Sequence, residues 1–327
     1  MKHDIFPHAN TIVCIEDSKM LKRFQYELLY GADGLQAVLD ELNNMNYFHL
    51  HRNADIINYR TMLDGLMKAT MNLIKEIAPN EMIWRIFALN YDIHNIKLVV
   101  KERTMERRLD SLALDFGSYT MPTLRSAAVK ESDDILKNEC LTRGLFEALR
   151  AKDIYDVDFI LDRTYFHALR IFADELGSTG IIEFVVERID LFNISVLAQS
   201  LVIGSPEEYF ARAFSEHGSL PLKEWQQYIE GGIENLGNFV LWEKYRPVLG
   251  EAYSREKRLS EFDVLVDNYL IGLTKACKLM AFGIEPICAY FYNKLMEIKN
   301  IRILLSGKEN GYAIGEIKKR MRIPYEL

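Results

Sequence analysis

One eight-residue pattern occurs three times along the chain and constrains the fold more than any other feature. It reads acid, aliphatic, any residue, Asn, Ile, any residue and two aliphatic residues, and its copies start at Asp92, Asp190 and Glu297, 98 and 107 residues apart. An internal repeat implies that the same local structure is built more than once. The spacing therefore predicts three units of similar size, residues 1–114, 115–216 and 217–327.

The segments around the three copies repeat as well. A helix start is expected twelve residues before each acid: Pro79-Asn80, Ser178-Thr179 and Glu285-Pro286. Asn and Ser side chains cap the free N–H groups of a first turn, and Pro suits the first helical position. Each copy is followed by a Gly and a new amphipathic segment. Each pattern is thus expected in the middle of a long helix.

Long segments with helical spacing of apolar residues precede each of these helices, over residues 53–78, 158–176 and 260–282. Alternating runs of Val, Ile and Thr are scarce, which argues against strands. The predicted fold is all-α, with three similar domains, each based on a helical hairpin. Residues 1–17 are expected to form a loose lead-in, and Ser18 is expected to cap a helix that reaches Tyr30.

Composition restricts the possible partners and compartment. The net charge of −7 gives no basic field, so nucleic acid is not expected as a partner. The four cysteines show no metal-binding or disulfide spacing, which fits a reducing cytoplasm. No stretch reaches the roughly 18 apolar residues needed to cross a bilayer, and no apolar signal core follows the N-terminus. The chain is expected to be soluble or to dock on a membrane component without entering the bilayer.

The repeated pattern places its acid and its Asn one helical turn apart, on the same face of a helix. The members of this candidate network are Asp92, Asn95, Lys97, Asp190, Asn193, Glu297, Asn300 and Arg302. One interpretation is a set of three carboxylate-amide sites with a function of their own. The favoured interpretation is a packing network, because buried polar groups must be hydrogen-bonded and such networks specify how helices pack.

Other candidate sites are weaker. Asp153, Asp156, Asp158 and Asp162 form the densest acidic cluster, but they lack the paired spacing of a magnesium-binding helix. His49 and His51 lack a third metal ligand, and Gly307-Lys308 lacks the rest of a phosphate loop. We find no catalytic constellation and expect no cofactor. A metal-dependent helical enzyme that uses Asp156 and Asp158 remains an open alternative.

Two stretches carry a resemblance to a known family. The segments Gly283-Ile-Glu-Pro286, Glu297 to Arg302 and Gly307-Lys308, with a closing Ile-Pro-Tyr, are similar to the C-terminal signature of the C subunit of A/V-type rotary ATPases. Tyr91 to Lys97 resembles the signature of the first repeat. In the eukaryotic vacuolar enzyme the equivalent protein is the d subunit. The resemblance covers essentially the whole chain.

This resemblance implies a funnel of three helical domains around a pseudo-threefold axis. Its mouth would receive the central-stalk axle subunits, of D and F type, and its other face would sit on the membrane rotor ring of c or K subunits. The protein would be a non-catalytic rotor spacer on the cytoplasmic face of the membrane. Candidate partner contacts lie in the loops between helical arms: Pro79, Asn80, Ser178, Thr179, Glu285 and Pro286. Neither the coupled ion, proton or sodium, nor the direction of ATP turnover follows from the sequence.

Two departures from the family pattern are visible. Residues 9–14 are a weak version of the expected basic, Tyr-rich lead-in, and Ser195 stands where Lys97 and Arg302 supply a basic residue in the other copies. Both concern the contacts of the second unit more than the fold. The alternative function is a free-standing helical-repeat scaffold that binds other soluble proteins.

Overall fold

The structure is a computed structural model that describes residues 6–48, 54–131, 135–203, 206–231, 238–254, 259–280 and 282–324. Within these residues every regular element is a helix, so the all-α prediction is confirmed. The α-helices are α1 Phe6–Ser18, α2 Arg23–Gly31, α3 Gly34–Asn44, α4 Tyr59–Ile77, α5 Glu81–Met105, α6 Met121–Lys130, α7 Glu139–Leu149, α8 Ile154–Leu176, α9 Thr179–Ile203, α10 Pro206–Ala213, α11 Leu222–Gly231, α12 Trp242–Ser254, α13 Leu259–Thr274, α14 Glu285–Glu309 and α15 Ile314–Lys319.

The three copies of the pattern lie in the middle of α5, α9 and α14, and each of these helices contains 25 residues. Their starts agree with the sequence prediction. The Asn80 side chain accepts a hydrogen bond from the N–H of Met82 at 2.8 Å, and Ser178 Oγ accepts one from Ile181 at 3.2 Å. Pro286 occupies the first turn of α14.

The chain divides into two compact units. In unit 2, Asn80–Tyr245, α8 is the central helix and packs against α5, α7, α9 and α10. The helices α7 and α8 come close where Gly144 faces Thr164, because a Cβ atom at Gly144 would lie 2.3 Å from Thr164 Oγ1. The turn from α8 to α9 passes through Gly177, whose φ of 66° favours glycine.

Unit 1 consists of Met1–Pro79 and Arg246–Leu327 and is built around α14. The helices α1, α3, α4 and α13 pack against α14, and 16 of its 25 residues are buried. A helix that is covered on most sides needs apolar residues around its circumference. This explains why α14 shows no narrow apolar stripe in the sequence.

The predicted loose lead-in is wrong for its described part. Residues 6–18 form α1, which buries Phe6, Ala9 and Val13. Ser18 ends this helix, and its Oγ donates to the carbonyl of Ile15 rather than capping α2. The three-way division at residues 114 and 216 and the pseudo-threefold funnel both stay predictions.

Candidate functional site

Each motif Asn forms the same pair of hydrogen bonds. Its amide nitrogen donates to the backbone carbonyl of a residue downstream, and its amide oxygen accepts from the N–H of that same residue. The pairs are Asn95 with Leu114 at 2.7 and 3.0 Å, Asn193 with Ser215 at 2.8 and 2.9 Å, and Asn300 with Arg322 at 3.0 and 2.8 Å. We call this arrangement the amide clamp. All three Asn side chains are at most 2% exposed.

The acids of the first two copies bind the chain four residues beyond each amide clamp. Asp92 Oδ1 accepts from the N–H groups of Ser118 and Tyr119 at 2.7 and 3.2 Å. Asp190 accepts from the N–H and the hydroxyl of Ser219 at 2.6 and 2.5 Å. Because acid and amide lie one turn apart on the helix, the two sets of bonds fix the incoming segment at two points.

A glycine leaves room for each of these two carboxylates. A Cβ atom on Gly117 would lie 2.3 Å from Asp92 Oδ1, and one on Gly218 would lie 2.5 Å from Asp190 Oδ1. Real Cβ atoms do not approach an oxygen that closely. The Gly-Ser pairs that follow the first two copies in the sequence are therefore the partners of the motif acids, rather than simple chain breaks.

The third acid takes its backbone donor from a distant part of the chain. Glu297 Oε2 accepts from the N–H of Leu21 at 2.6 Å, and Glu297 Oε1 accepts from Lys294 Nζ at 2.5 Å. Glu297 is 5% exposed and Lys294 is 7% exposed. A buried charge pair of this kind requires both partners, because either charge alone would be costly in an apolar interior.

The two basic residues of the candidate network lie outside these clamps. Lys97 Nζ bonds Asp162 on α8 at 2.7 Å, and Arg302 bonds Asp64 on α4 at 2.7 Å. They thus tie α5 and α14 to other helices within their own units. At the equivalent place in the second copy, Ser195 Oγ accepts only a local bond from Gln199 at 3.1 Å.

Burial alters the acidity of Asp92. The carboxyl group is 2% exposed, and its desolvation raises its pKa from 3.8 to about 6, although the bonds from Ser118 and Tyr119 act in the opposite direction. Desolvation disfavours the charged form of any carboxyl group. The protonation state of Asp92, next to the first amide clamp, therefore changes at mildly acidic pH.

Sequence reasoning missed a further buried acid next to the first clamp. Arg125 donates two hydrogen bonds to Glu102, at 2.9 and 2.6 Å, and the N–H of Leu109 adds a third at 2.7 Å. The Arg125 bonds lower the pKa of Glu102 below its usual value. The sequence gives little indication that Glu102 is buried, because this residue lies in a mixed charge run that is typical of a solvated helix end.

The predicted partner-contact residues differ in accessibility. Asn80 and Thr179 are exposed, and Pro79, Ser178 and Glu285 are partly exposed. Pro286 is buried in the first turn of α14. Because a buried residue offers little surface, the loops before α5 and α9 are the more accessible of the three.

The acidic cluster around Asp156 is used in caps and ion pairs. Asp153 caps α8 through the N–H groups of Tyr155 and Asp156, and Asp156 pairs with Arg212. Asp158 accepts from Lys101 at 2.9 Å. Among the described residues, no group of three potential ligands could hold a metal ion. This geometry gives the metal-dependent alternative no support.

Gly307-Lys308 does not form a phosphate loop. Gly307 lies inside α14 against the side chain of Ile317, and Lys308 donates to backbone carbonyls, so Gly307-Lys308 is part of a helix. His49 and His51 lie outside the described residues. Within the described part of the chain, every helix is too short or too polar to span a bilayer.

The whole repeated architecture falls within one known protein family. The model of the family described as the ATP synthase (C/AC39) subunit matches residues 9–320. The chain belongs to this family. A curated member, the C subunit of the V-type sodium ATPase of Enterococcus hirae, is 24% identical over 98% of this chain and 99% of its own length.

Archaeal members of the family show a similar level of identity. The C subunit of the A-type ATP synthase of Methanocaldococcus jannaschii is 23% identical over 96% of this chain and 86% of its own length. The corresponding protein of Methanococcoides burtonii is 23% identical over 89% of this chain and 87% of its own length. The similarity therefore extends over all three copies of the repeated pattern.

Proposed function

We propose that this chain is a non-catalytic central-stalk subunit of a V/A-type ATPase or ATP synthase. In this role it couples the axle subunits to the membrane rotor ring, on the cytoplasmic face of the membrane. The observation that carries the proposal is the family match, which runs from residue 9 to residue 320. Because the three relatives align over 86–99% of their own length, the role of the whole subunit is the natural hypothesis.

The three clamps support this role. A subunit that passes torque between two partners must resist deformation, and close-packed helices with satisfied buried polar groups are stiff. The Asn95, Asn193 and Asn300 clamps each hold the middle of a 25-residue helix to the segment that follows it. In addition, each clamp Asn uses both its amide nitrogen and its amide oxygen to bind the backbone, which favours a structural role over a catalytic one.

The direct test is capture of the axle subunits and of the detergent-solubilised rotor ring from the same organism, at low and at moderate salt. We expect this chain to bind both and to hydrolyse no ATP by itself. Binding to neither partner would refute the stalk assignment and favour the free-standing scaffold. Binding to unrelated soluble proteins in the same assay would support that second function directly.

A surface variant tests the predicted partner contacts separately. Thr179 is exposed at the start of α9, so Thr179→Lys should weaken capture of at least one partner by about tenfold, since a buried unpaired charge costs at least about 1.4 kcal/mol. Val129→Lys is the matched control, because Val129 is 84% exposed and lies outside the loops between arms. Equal binding by both variants would remove Thr179 from the contact surface and leave the stalk proposal intact.

A further inference from the structure

The helix α2 is held at both ends by side chains of α14. Leu21, two residues before α2, donates its N–H to Glu297 at 2.6 Å. At the other end, Lys308 Nζ donates to the carbonyl oxygens of Tyr30 and Ala32 at 3.2 and 2.6 Å. The two carbonyls are among the free C=O groups that a helix leaves at its C-terminal end, whereas Leu21 lies just before the N-cap residue Lys22.

The spacing shows how α2 lies on α14. Glu297 and Lys308 are 11 residues apart, and so are Leu21 and Ala32. Along α14 this separation spans roughly 16 Å, at a rise of about 1.5 Å per residue. Because the earlier residues of the two pairs bond each other and so do the later ones, α2 points in the same direction as α14. A carboxylate at the start of α2 and an ammonium at its end both complement the helix dipole.

The first two copies of the pattern show which place α2 occupies. Ser118 follows the clamped Leu114 by four residues, and Ser219 follows the clamped Ser215 by four residues. The short helices α6 and α11 start three residues after each Ser. In the third copy the donor to the acid is Leu21, and α2 starts two residues later. The helix α2 thus follows the residue that donates to the acid of α14, just as α6 follows the residue that donates to the acid of α5.

The chemistry of the third acid fits this long-range connection. It is Glu297, whereas the first two acids are Asp92 and Asp190, so the carboxylate reaches one methylene further from its helix. Its buried partner Lys294 lies one turn away on α14. Lys318 on α15 adds a second hold, because it pairs with Glu27 at 3.2 Å and lies 4.3 Å from the ring centre of Tyr30.

We propose that α2 is a latch helix that closes the third repeat of the pattern. In the first two repeats the closing segment follows its motif helix directly along the chain, whereas in the third it comes from the N-terminal part. Because no short loop ties α2 to α14, Glu297 and Lys308 fix its two ends, while the buried side chains of Tyr26 and Leu29 hold its middle. Releasing either end loosens that end of α2 while the Asn300–Arg322 clamp stays closed.

Hydrogen exchange of the full chain, read by mass spectrometry, tests the latch. Lys308→Met keeps most of the length of the side chain and removes its charge, so exchange of the amides at the C-terminal end of α2 should accelerate at least tenfold, with no change in α4. The matched control is Lys299→Met, since Lys299 lies on the same helix but bonds Asp267 at 2.8 Å, away from α2. This control should leave the exchange of α2 unchanged.

Glu297→Asp probes the other end of α2. Shortening the acid by one methylene should withdraw it from Leu21 and accelerate exchange in α2, while the amide of Arg322 stays protected. The proposal is overturned if α2 exchanges at the wild-type rate in Lys308→Met, or if Lys299→Met accelerates it equally. Should Glu297→Asp fail to fold, Lys308→Met decides the question alone, because Lys308 is partly exposed and its loss leaves the α14 core intact.

Discussion

The amide clamp of the second repeat offers the sharpest test of the structural argument. Asn193 is 0% exposed and exchanges two hydrogen bonds with the backbone of Ser215, which is itself 1% exposed. Asn193→Leu removes both bonds in a single step. It leaves the N–H and the C=O of Ser215 buried without partners, because Leu offers no polar atom.

The expected loss of stability follows from these two groups. A buried polar group without a partner costs about 1–3 kcal/mol, so the two groups of Ser215 together cost about 2–6 kcal/mol. The apolar surface that Leu adds to the interior returns at most about 2 kcal/mol. With that return subtracted in full, Asn193→Leu should lower the free energy of unfolding by about 2 kcal/mol, within a range of about 0–4 kcal/mol.

The first repeat supplies a control within the same unit. The bonds between Asn95 and Leu114 are only partly buried, so water can reach the groups that Asn95→Leu would expose. We expect that variant to cost about 1 kcal/mol, since solvent satisfies most of what is lost. The two substitutions are chemically identical and differ in the burial of the clamp.

Urea unfolding followed by tryptophan fluorescence is a suitable assay. All three tryptophans, Trp84, Trp225 and Trp242, lie in unit 2 together with both clamps. The unfolding midpoint should fall clearly more for Asn193→Leu than for Asn95→Leu. Equal shifts, or no shift for Asn193→Leu, would refute the idea that buried amide clamps hold these helices.

Two further predictions concern the acids of the pattern and use urea unfolding followed by far-UV circular dichroism, which reports on the helices of both units. Gly117→Ala should lower the free energy of unfolding by about 1–3 kcal/mol, because the added Cβ would displace the Asp92 carboxylate. The control is Gly272→Ala, which lies in a helix with open space around it and should raise the free energy of unfolding by about 0.5–1 kcal/mol. Equal effects of the two substitutions would contradict the steric argument. Burial raises the pKa of Asp92 from 3.8 to about 6. Between about pH 4 and about pH 6 the folded chain therefore keeps a proton on Asp92 that the unfolded chain has lost. The free energy of unfolding of the wild type should thus fall by up to about 3 kcal/mol as pH rises from about 4 to about 6.5. Asp92→Asn should lack this fall, and the same pH dependence in both chains would exclude Asp92 as its source.

Sequence alone predicted the helices that carry the pattern more accurately than the contacts they make. The starts at Asn80 and Ser178 were visible because capping residues act locally. The partners of the amide clamps were not visible, because Asn95 reaches 19 residues ahead whereas Asn193 and Asn300 reach 22. Those distances depend on how each connecting loop folds, and residue types alone do not determine it.

Two errors have different physical origins. The helix α1 was missed although Phe6, Ala9 and Val13 have helical spacing, because polar residues and Pro7 around them favour a loop by composition. The donor to Glu297 was missed because Leu21 lies 276 residues away from it. A backbone N–H carries no signature in the sequence, so only the structure can assign a partner of this kind.

The second repeat shows how the pattern tolerates the loss of its basic residue. Lys97 and Arg302 reach carboxylates on neighbouring helices, whereas Ser195 is too short to do so. Asp190 accepts one more hydrogen bond instead, because the hydroxyl of Tyr245 donates to it at 2.8 Å in addition to the N–H and the hydroxyl of Ser219. Neutral donors placed close to the buried acid thus replace a charge at the helix surface. The Arg302–Asp64 pair is exposed, and a pair of this kind contributes at most about 1 kcal/mol, so we expect the amide and acid bonds of the pattern to contribute more than its basic position.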